Sequence, residues 1–160
     1  MKKCNSMQLT RAADYAVRVM LHLAKIGPNC RVPLPALVAS ASAPPSFLSK
    51  VLQQLTRARL ITSCRGPNGG FQISICGRQA SMLQVIEAIE GPMSLNLCLS
   101  EGRTCPRKSW CPAHPVWVKA QKALLDVLST ARIADLAAGT TPISALVPRE
   151  PLRKKTGTDN

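Results

Sequence analysis

Aromatic residues are scarce in this chain of 160 residues. Only 3% of the residues are Phe, Trp or Tyr, whereas 46% are hydrophobic. A core must therefore be built mainly from Leu, Val, Ile and Ala, which favours helices. The length is sufficient to enclose one hydrophobic core. The composition predicts one α-rich domain with appendages.

Acidic residues are scarce as well, and this leaves a large positive charge. The chain has 8 Asp and Glu against 21 Lys and Arg, so its formal net charge is +13 at pH 7. Such an excess favours a polyanionic partner, because Lys and Arg that neutralise phosphates release condensed counterions. We expect DNA or RNA as the partner, with an anionic membrane surface as the second choice.

Long apolar runs are missing. The longest uncharged run, residues 32–49, contains four prolines and cannot form a membrane-spanning helix. Lys2 and Lys3 are followed by polar residues, unlike a secretory signal. We therefore expect a cytoplasmic protein without a membrane partner. There the seven cysteines are expected to be reduced thiols or metal ligands instead of a disulfide framework.

Patterns typical of enzymes are absent from the sequence. It has no paired catalytic carboxylates, no nucleophile elbow and no Cys-X-X-Cys motif. Residues 66–70 are glycine-rich, but they lack the spacing, the lysine and the strand-to-helix context of a phosphate-binding loop. We expect neither an enzyme nor a small-molecule substrate.

The first half of the chain has the element order of a winged helix-turn-helix. Apolar residues recur at helical spacing over residues 10–25, with Thr10 as the cap, and again over residues 34–41. A third helix opens at Pro44 and Pro45. A β-hairpin with a glycine-rich tip is predicted over residues 60–75. The expected fold is mainly α with a small β-hairpin wing.

The second half is predicted to contain two helices separated by a cysteine-bearing loop. Ser81 and Gln84 match a capping box for a helix that stops at Gly91. After the loop, a long helix begins at Pro112 and packs against a partner through an apolar stripe. The stripe consists of Trp117, Ala120, Leu124, Val127 and Ala131.

The third predicted helix is the candidate recognition helix. Its apolar face, Leu48, Val51, Leu52 and Leu55, points inward. The outward positions carry donors and acceptors suited to base edges and phosphates: Ser46, Ser49, Lys50, Gln53, Gln54 and Arg57. Arg65 precedes the glycine-rich turn, where it can enter a minor groove, and Asn68 lies within the turn.

Three cysteines form the candidate cofactor site. Cys98 and Cys105 are separated by six residues, and Cys105 and Cys111 by five. Structural zinc usually uses cysteine pairs two to four residues apart, so this spacing favours an iron–sulfur cluster. His114, three residues after Cys111, can complete the ligand set. The remaining thiols are interpreted as structural or incidental: Cys4, Cys30, Cys64 and Cys76.

Together these motifs resemble the Rrf family of winged-helix regulators. The resemblance covers about residues 7–136, and its motifs are highly specific. It rests on residues 7–10 and 14–17 in the first helix, 47–52 in the third helix, 65–71 in the wing, 87–91, the three cysteines and 111–117.

The resemblance implies a homodimer that forms through the last long helix and binds a partly palindromic DNA operator. It also implies an iron–sulfur cluster, with 2Fe–2S favoured over 4Fe–4S, on Cys98, Cys105 and Cys111. In IscR-like members the fourth ligand matches His114, which we favour. In some NsrR-like members it matches Asp14 of the partner subunit, which is the alternative.

Two departures from the family pattern concern the cluster and the operator. The first cysteine gap is one residue longer than in IscR-like members, which leaves the cluster type open. Ser49 stands where a glutamate is common in the recognition helix, so the operator sequence is open as well. Family members typically start at the equivalent of Met7.

The predicted organisation has five parts. Residues 1–6 form an extension, 7–92 the DNA-binding domain, 93–111 the cluster loop, 112–138 the dimerisation helix and 139–160 a disordered basic tail. The predicted function is a transcription regulator whose operator affinity depends on the cluster, and the sequence leaves open whether it is a repressor or an activator. The alternatives are a cluster-free regulator that senses thiol oxidation, zinc or a small ligand, and an iron–sulfur redox protein.

Overall fold

The computed structural model of the chain describes residues 9–102 and 105–139. The predicted extension at residues 1–6, Cys4 within it, residues 7–8 and the predicted tail from residue 140 onward lie outside the described residues. The described part is mainly helical with one two-stranded antiparallel hairpin, as predicted. Its elements are α1 (Arg11–Ile26), α2 (Leu34–Ala41), α3 (Pro45–Arg57), β1 (Ile61–Cys64), β2 (Gly70–Ile73), α4 (Ile75–Gln79), α5 (Met82–Glu90), a 3-10 turn (Leu97–Leu99), α6 (His114–Thr130) and α7 (Ile133–Ala138).

Helix α1 lies at the centre of the fold. Its cap is confirmed, since the Thr10 hydroxyl accepts a hydrogen bond from the amide of Ala13 at 3.4 Å. It packs against α2, α3, α5 and α7. Its buried face consists of Ala13, Ala16, Val19, Met20 and Leu23. These helices are therefore positioned around the apolar face of α1.

Helices α2 and α3 form the tight helix-turn-helix. Ser42, in the left-handed conformation with φ of 53°, ends α2. Arg18 of α1 donates to the carbonyl of Ala41 at 3.3 Å and fastens the end of α2 to α1. The ring of Phe47 meets Tyr15 edge-on, with the ring centroids 5.8 Å apart. The predicted inward face of α3 is confirmed as buried: Leu48, Val51, Leu52 and Leu55.

The predicted hairpin is present but shorter than expected. Strand β1 pairs with β2 from Ile61 opposite Ile73 to Cys64 opposite Gly70. The prediction that the second strand continues to Ile75 is wrong. The Ser74 side chain accepts from the amide of Gly77 at 2.8 Å and caps α4, which the pattern did not predict.

Helix α5 begins with the predicted capping box. The amide of Gln84 donates to the Ser81 hydroxyl at 3.2 Å, and the amide of Ser81 donates to the Gln84 carboxamide oxygen at 2.9 Å. The helix ends at Gly91, whose φ of 80° is unfavourable for residues with a side chain. Both predicted ends of α5 are confirmed.

The last long helix differs from its prediction at both ends. It begins at His114 instead of Pro112, and it ends at Thr130, so Ala131 does not belong to its stripe. The carbonyl of Ala131 accepts from the amide of Met82 at 2.8 Å, and the amide of Ile133 donates to Ala80 at 2.9 Å. These two bonds turn the chain back towards α4 and α5. Ile133, at the start of α7, is buried in the core formed by α1 to α5.

Residues 9–102 and 105–139 include no helix that is both long and apolar enough to cross a membrane.

Candidate DNA-binding surface and cysteine loop

The outer face of α3 carries most of the predicted DNA-contact residues. Ser46, Lys50, Gln53 and Arg57 are exposed. Ser49 and Gln54 are half-buried on the same helix. The buried inner face fixes the rotation of α3, so these side chains have no competing role in the core. The structure thus presents a polar and basic helix face to solvent.

Ser49 differs from its neighbours because its hydroxyl is already engaged. Its Oγ donates to the carbonyl of Pro45 at 2.9 Å. The single hydroxyl proton is used within the helix, so the Ser49 oxygen is left as an acceptor. Thr56 repeats this arrangement, with its Oγ1 donating to Leu52 at 2.8 Å.

A cleft of about 440 Å³ separates α3 from the hairpin and brings predicted residues together. Gln53 and Arg57 line one side of it, and Arg65 lines the other. Two guanidinium groups with an amide suit a phosphate backbone. Asn68 is exposed in the hairpin turn, outside the lining of this cleft.

A second depression continues this surface towards α1. It is lined by Ala12, Phe47, Lys50, Val51, Gln53, Gln54 and Arg57. Gln53 and Arg57 line both depressions, so Lys50, Gln53, Arg57 and Arg65 form one continuous surface. Ser46 and Ser49 line neither depression.

Five of the residues that line the cleft were not predicted as contacts, and three of these carry a hydroxyl or a thiol. Thr56, Ser63 and Cys64 line it beside the predicted residues. The helical period could have predicted Thr56 as a contact, because it follows Gln53 by three residues and so shares its helix face. Cys64, for which the sequence predicts a structural or incidental thiol, stands in the cleft next to Arg65.

The backbone of the wing is tied to the loop between α1 and α2. Val32 and Phe71 exchange two hydrogen bonds, of 2.8 and 2.9 Å. Gly70 lies so close to this loop that an added Cβ would stand 2.7 Å from the carbonyl oxygen of Val32. Only glycine permits this approach, so the wing is held in a fixed orientation to α3.

The cysteine loop places its three thiols on irregular backbone around the start of α6. Cys98 lies in the 3-10 turn, while Cys105 and Cys111 each come directly before a turn, and all three are half-buried free thiols. Within the described residues, no three His, Cys, Asp or Glu side chains stand close enough together to hold a metal ion. The single chain therefore brings the donors onto one loop without gathering them at one point.

His114 has an unusual environment for a polar side chain. Its Nε2 atom is buried and has no hydrogen-bond partner among the residues that the structure describes. Its backbone amide donates to the carbonyl of Cys111 at 3.1 Å, so it follows the last cysteine in a tight turn. A buried unpaired ring nitrogen is costly, and a metal ligand bond is one way to satisfy it. The donor set, three thiols and one imidazole, fits an iron–sulfur cluster in its chemistry.

Asp14, the alternative fourth ligand, already has a partner. Its carboxylate lies 2.8 Å from the guanidinium of Arg18. Arg18 also lies near the face of Tyr15, with 6.0 Å between the guanidinium carbon and the ring centroid. Asp14 is thus engaged on α1, in contrast with the unpaired nitrogen of His114.

Helix α6 exposes much of its apolar surface. None of its 17 residues, all of which are described, is fully buried. One side of α6 carries the half-buried residues Trp117, Leu124 and Leu128. Helix α6 also contacts α5. Val116, Ala120, Ala123 and Val127 form a second stripe at coiled-coil spacing, and the side chain of Val116 is 66% exposed.

The comparisons with known proteins agree with this architecture. A family model named Rrf2, described as an iron-dependent transcriptional regulator, matches residues 9–139. Rv1287 of Mycobacterium tuberculosis, named as a helix-turn-helix transcriptional regulator, is 30% identical over 136 residues, which are 85% of this chain and 84% of that protein.

Two further matches are a regulator that is similar in sequence and a solved structure that is similar in fold. The regulator IscR of Vibrio vulnificus is 28% identical over 130 residues, or 81% of this chain and 77% of that protein. The structure of CymR, the global cysteine regulator of B. subtilis, superposes with a TM-score of 0.67 at 22% identity, over 84% of this chain and 98% of that one. At this identity the superposition shows the fold alone, which is the winged-helix fold predicted above.

The family match covers far more than half of the chain, and the matched relatives are transcriptional regulators, not enzymes. The winged helix-turn-helix and the basic face of α3 are the features that such a regulator needs to bind DNA. The chain belongs to the Rrf2 family of transcriptional regulators.

Proposed function

We propose that this regulator binds a double-stranded operator as a homodimer and that an iron–sulfur cluster on the cysteine loop controls the binding. The observation that carries the cofactor proposal is the buried, unpaired Nε2 of His114 at the end of a loop with three free thiols. Because its operator is intracellular DNA, we propose a cytoplasmic location.

The DNA-binding part of the proposal rests on the continuous surface of α3 and the wing. Lys50, Gln53 and Arg57 would face the major groove and its phosphates, and Arg65 would enter or line the neighbouring groove. Three further predicted residues line neither depression and would extend this surface: Ser46, Ser49 and Asn68. The net charge of +13 supports the phosphate contacts.

The homodimer rests on α6. A helix of 17 residues without a fully buried residue is poorly stabilised by its own chain. Its second stripe has the spacing of a helix that pairs with another helix. Of this stripe, Val116, Ala120 and Ala123 are exposed and Val127 is half-buried. A second copy of α6 would cover this stripe and bring two recognition helices to one palindromic operator.

Cys98, Cys105, Cys111 and His114 would hold the cluster. A bound cluster supplies a group whose charge and stability respond to oxidants, nitric oxide and iron supply. Thiolates and the imidazole of His114 would then fix residues 93–111 against the start of α6. When these ligands are released, the loop can move beside the dimer helix and shift the spacing of the two recognition helices.

The experiment that tests the cofactor is a comparison of full-length proteins purified without oxygen. Visible absorption, iron and sulfide are measured for the wild type, Cys105→Ala and Cys76→Ala. We expect a brown wild type and a colourless Cys105→Ala variant. Cys76 is an exposed thiol outside the loop, so Cys76→Ala is the matched control and should stay brown.

The fourth ligand is tested with His114→Ala and Asp14→Asn in the same assay. His114→Ala should change the absorption spectrum, and Asp14→Asn should leave it unchanged. A wild type that stays colourless and iron-free after anaerobic reconstitution, yet binds DNA, would exclude the cluster and leave the regulator intact.

A second candidate is a regulator that senses through its thiols. Two observations favour it: the described thiols do not converge on one metal position, and Cys64 stands in the cleft between α3 and the wing. The similarity of the fold to that of a global cysteine regulator also favours this candidate. Oxidation that weakens DNA binding of colourless protein, reversed by a reductant and lost in Cys64→Ser, would support this candidate.

A further inference from the structure

The segment that leads into Cys98 is held at two points by side chains from two different helices. Glu87 of α5 accepts a hydrogen bond from the amide of Met93 at 3.2 Å. Gln121 of α6 accepts one from the amide of Leu95 at 3.0 Å. Both bonds are partly buried. Two backbone amides two residues apart are therefore fixed by α5 and α6 before the first cysteine.

The bond from Gln121 fixes the loop relative to His114. Gln121 follows His114 by seven residues, which is close to two helical turns, so both lie on one face of α6 about 10 Å apart along its axis. Leu95 precedes Cys98 by three residues. The amide of Leu95 therefore ties the first thiol of the loop to the helix face that carries the imidazole.

Short polar contacts connect the backbone at Leu95 with the turn that contains Cys98. The side chain of Asn96 accepts from the amide of Leu97 at 2.8 Å and opens the 3-10 turn. The hydroxyls of Ser94 and Ser100 lie 2.6 Å apart and close the same segment on the other side of Cys98. With residues 94–100 closed in this way, a shift of Leu95 would carry Cys98 with it.

The geometry points to Gln121 as a positioning residue that holds Cys98 in register with His114 through the amide of Leu95. This role rests on the proposed cluster. Gln121 acts through the backbone of the loop and is not itself a ligand. Glu87 supplies the second anchor, on α5. The neighbouring Glu90 accepts from the amide of Thr10 at 2.8 Å, so α5 also contacts the start of α1.

The experiment compares three substitutions on α6 in full-length protein that has been reconstituted without oxygen. Gln121→Leu removes the acceptor, and Gln121→Glu keeps an oxygen acceptor in the same place. Ser129→Ala removes a side-chain hydrogen bond to Asp126, at the far end of α6, and is the matched control. The readouts are the rate of cluster loss to an iron chelator, the spectroscopic signature of the coordinated imidazole, and the unfolding midpoint of the cluster-free proteins.

We expect Gln121→Leu to lose the cluster about 10-fold faster, at the lower end of the effect of residues that orient metal ligands. The spectroscopic signature of the coordinated imidazole should weaken in this variant. Gln121→Glu and Ser129→Ala should behave as the wild type does. A merely structural role would lower the unfolding midpoint without changing the imidazole signature, and that result would overturn the inference.

Two further outcomes separate this role from the proposed function. A wild type that takes up no iron or sulfide would overturn the cofactor and this role with it. A brown wild type beside a Gln121→Leu variant with unchanged chelation rate would overturn the role alone. If Gln121→Leu does not fold, Gln121→Asn retains the amide but is one methylene too short, and the same expectations apply to it.

Discussion

The region from α1 to α5 and the region of α6 differ in how far they bury their apolar side chains. The first region buries many of its large apolar side chains completely, and Met20, Leu37 and Leu52 have 0% exposure. The second leaves Trp110 67% and Val116 66% exposed. One chain thus completes the DNA-binding fold by itself, while the apolar surface of α6 remains available for a partner.

The largest expected effect contrasts the two regions directly. Leu52→Ala should lower the free energy of unfolding by about 3 kcal/mol, because it leaves a cavity in a closed core. Leu124→Ala, on the half-buried face of α6, should cost about 1 kcal/mol, since it removes fewer buried contacts. Urea unfolding at one protein concentration measures both. Equal losses would contradict the contrast.

The next effect concerns the exposed stripe of α6. Val116→Asp should weaken self-association about 100-fold, because it places an uncompensated charge in the paired face. Val118, which is 45% exposed, lies about 200° around the helix, so Val118→Asp is the matched control and should preserve the dimer. Sedimentation equilibrium measures both variants. Loss of the dimer with Val118→Asp alone would assign the interface to the opposite flank.

A smaller effect is expected for the wing. Arg65→Ala should weaken DNA binding by about 1–3 kcal/mol if Arg65 reads or lines a groove. Arg78→Ala removes an exposed arginine from α4, outside the cleft, and should change the affinity less. Fluorescence anisotropy on a duplex selected from a random library measures both. Unchanged affinity for Arg65→Ala would remove this residue from the site.

The smallest effect concerns the point where the two regions join. Ser81 caps α5 and forms a β-bridge with Arg132, just after α6. Ser81→Ala should lower the free energy of unfolding by about 1 kcal/mol, as expected for a lost cap. Thermal unfolding measures it, with Ser109→Ala in the exposed part of the cysteine loop as the control. No change would show that Gln84 alone supports the start of α5.

Local signals were sufficient for most of the fold. The period of Leu48, Leu52 and Leu55 fixed the inner face of α3, and the Ser81 capping box fixed the start of α5. Helix α4 was missed because Phe71, Ile73 and Ile75 alternate as in a strand. Ser74 competes with that alternation as a helix cap, and Ile75 is 79% exposed.

Long-range contacts account for the remaining differences. Ala131 fits the apolar period of α6, yet its carbonyl is held by Met82, nearly fifty residues earlier. The anchors Glu87 and Gln121 are side chain to backbone contacts with the loop, and no periodicity encodes them. The outer face of α3 was predictable because the helical period alone determines it.

The burial of Ile133 against α1 also affects how the chain completes its fold during synthesis. Domains fold as units as the chain emerges from its N-terminus. Helix α1 is the first described helix to leave the ribosome, but α7, one of its packing partners, is the last described helix to emerge. Part of α1 therefore stays uncovered in the nascent chain until residue 133 is released. The cysteine loop emerges before that point.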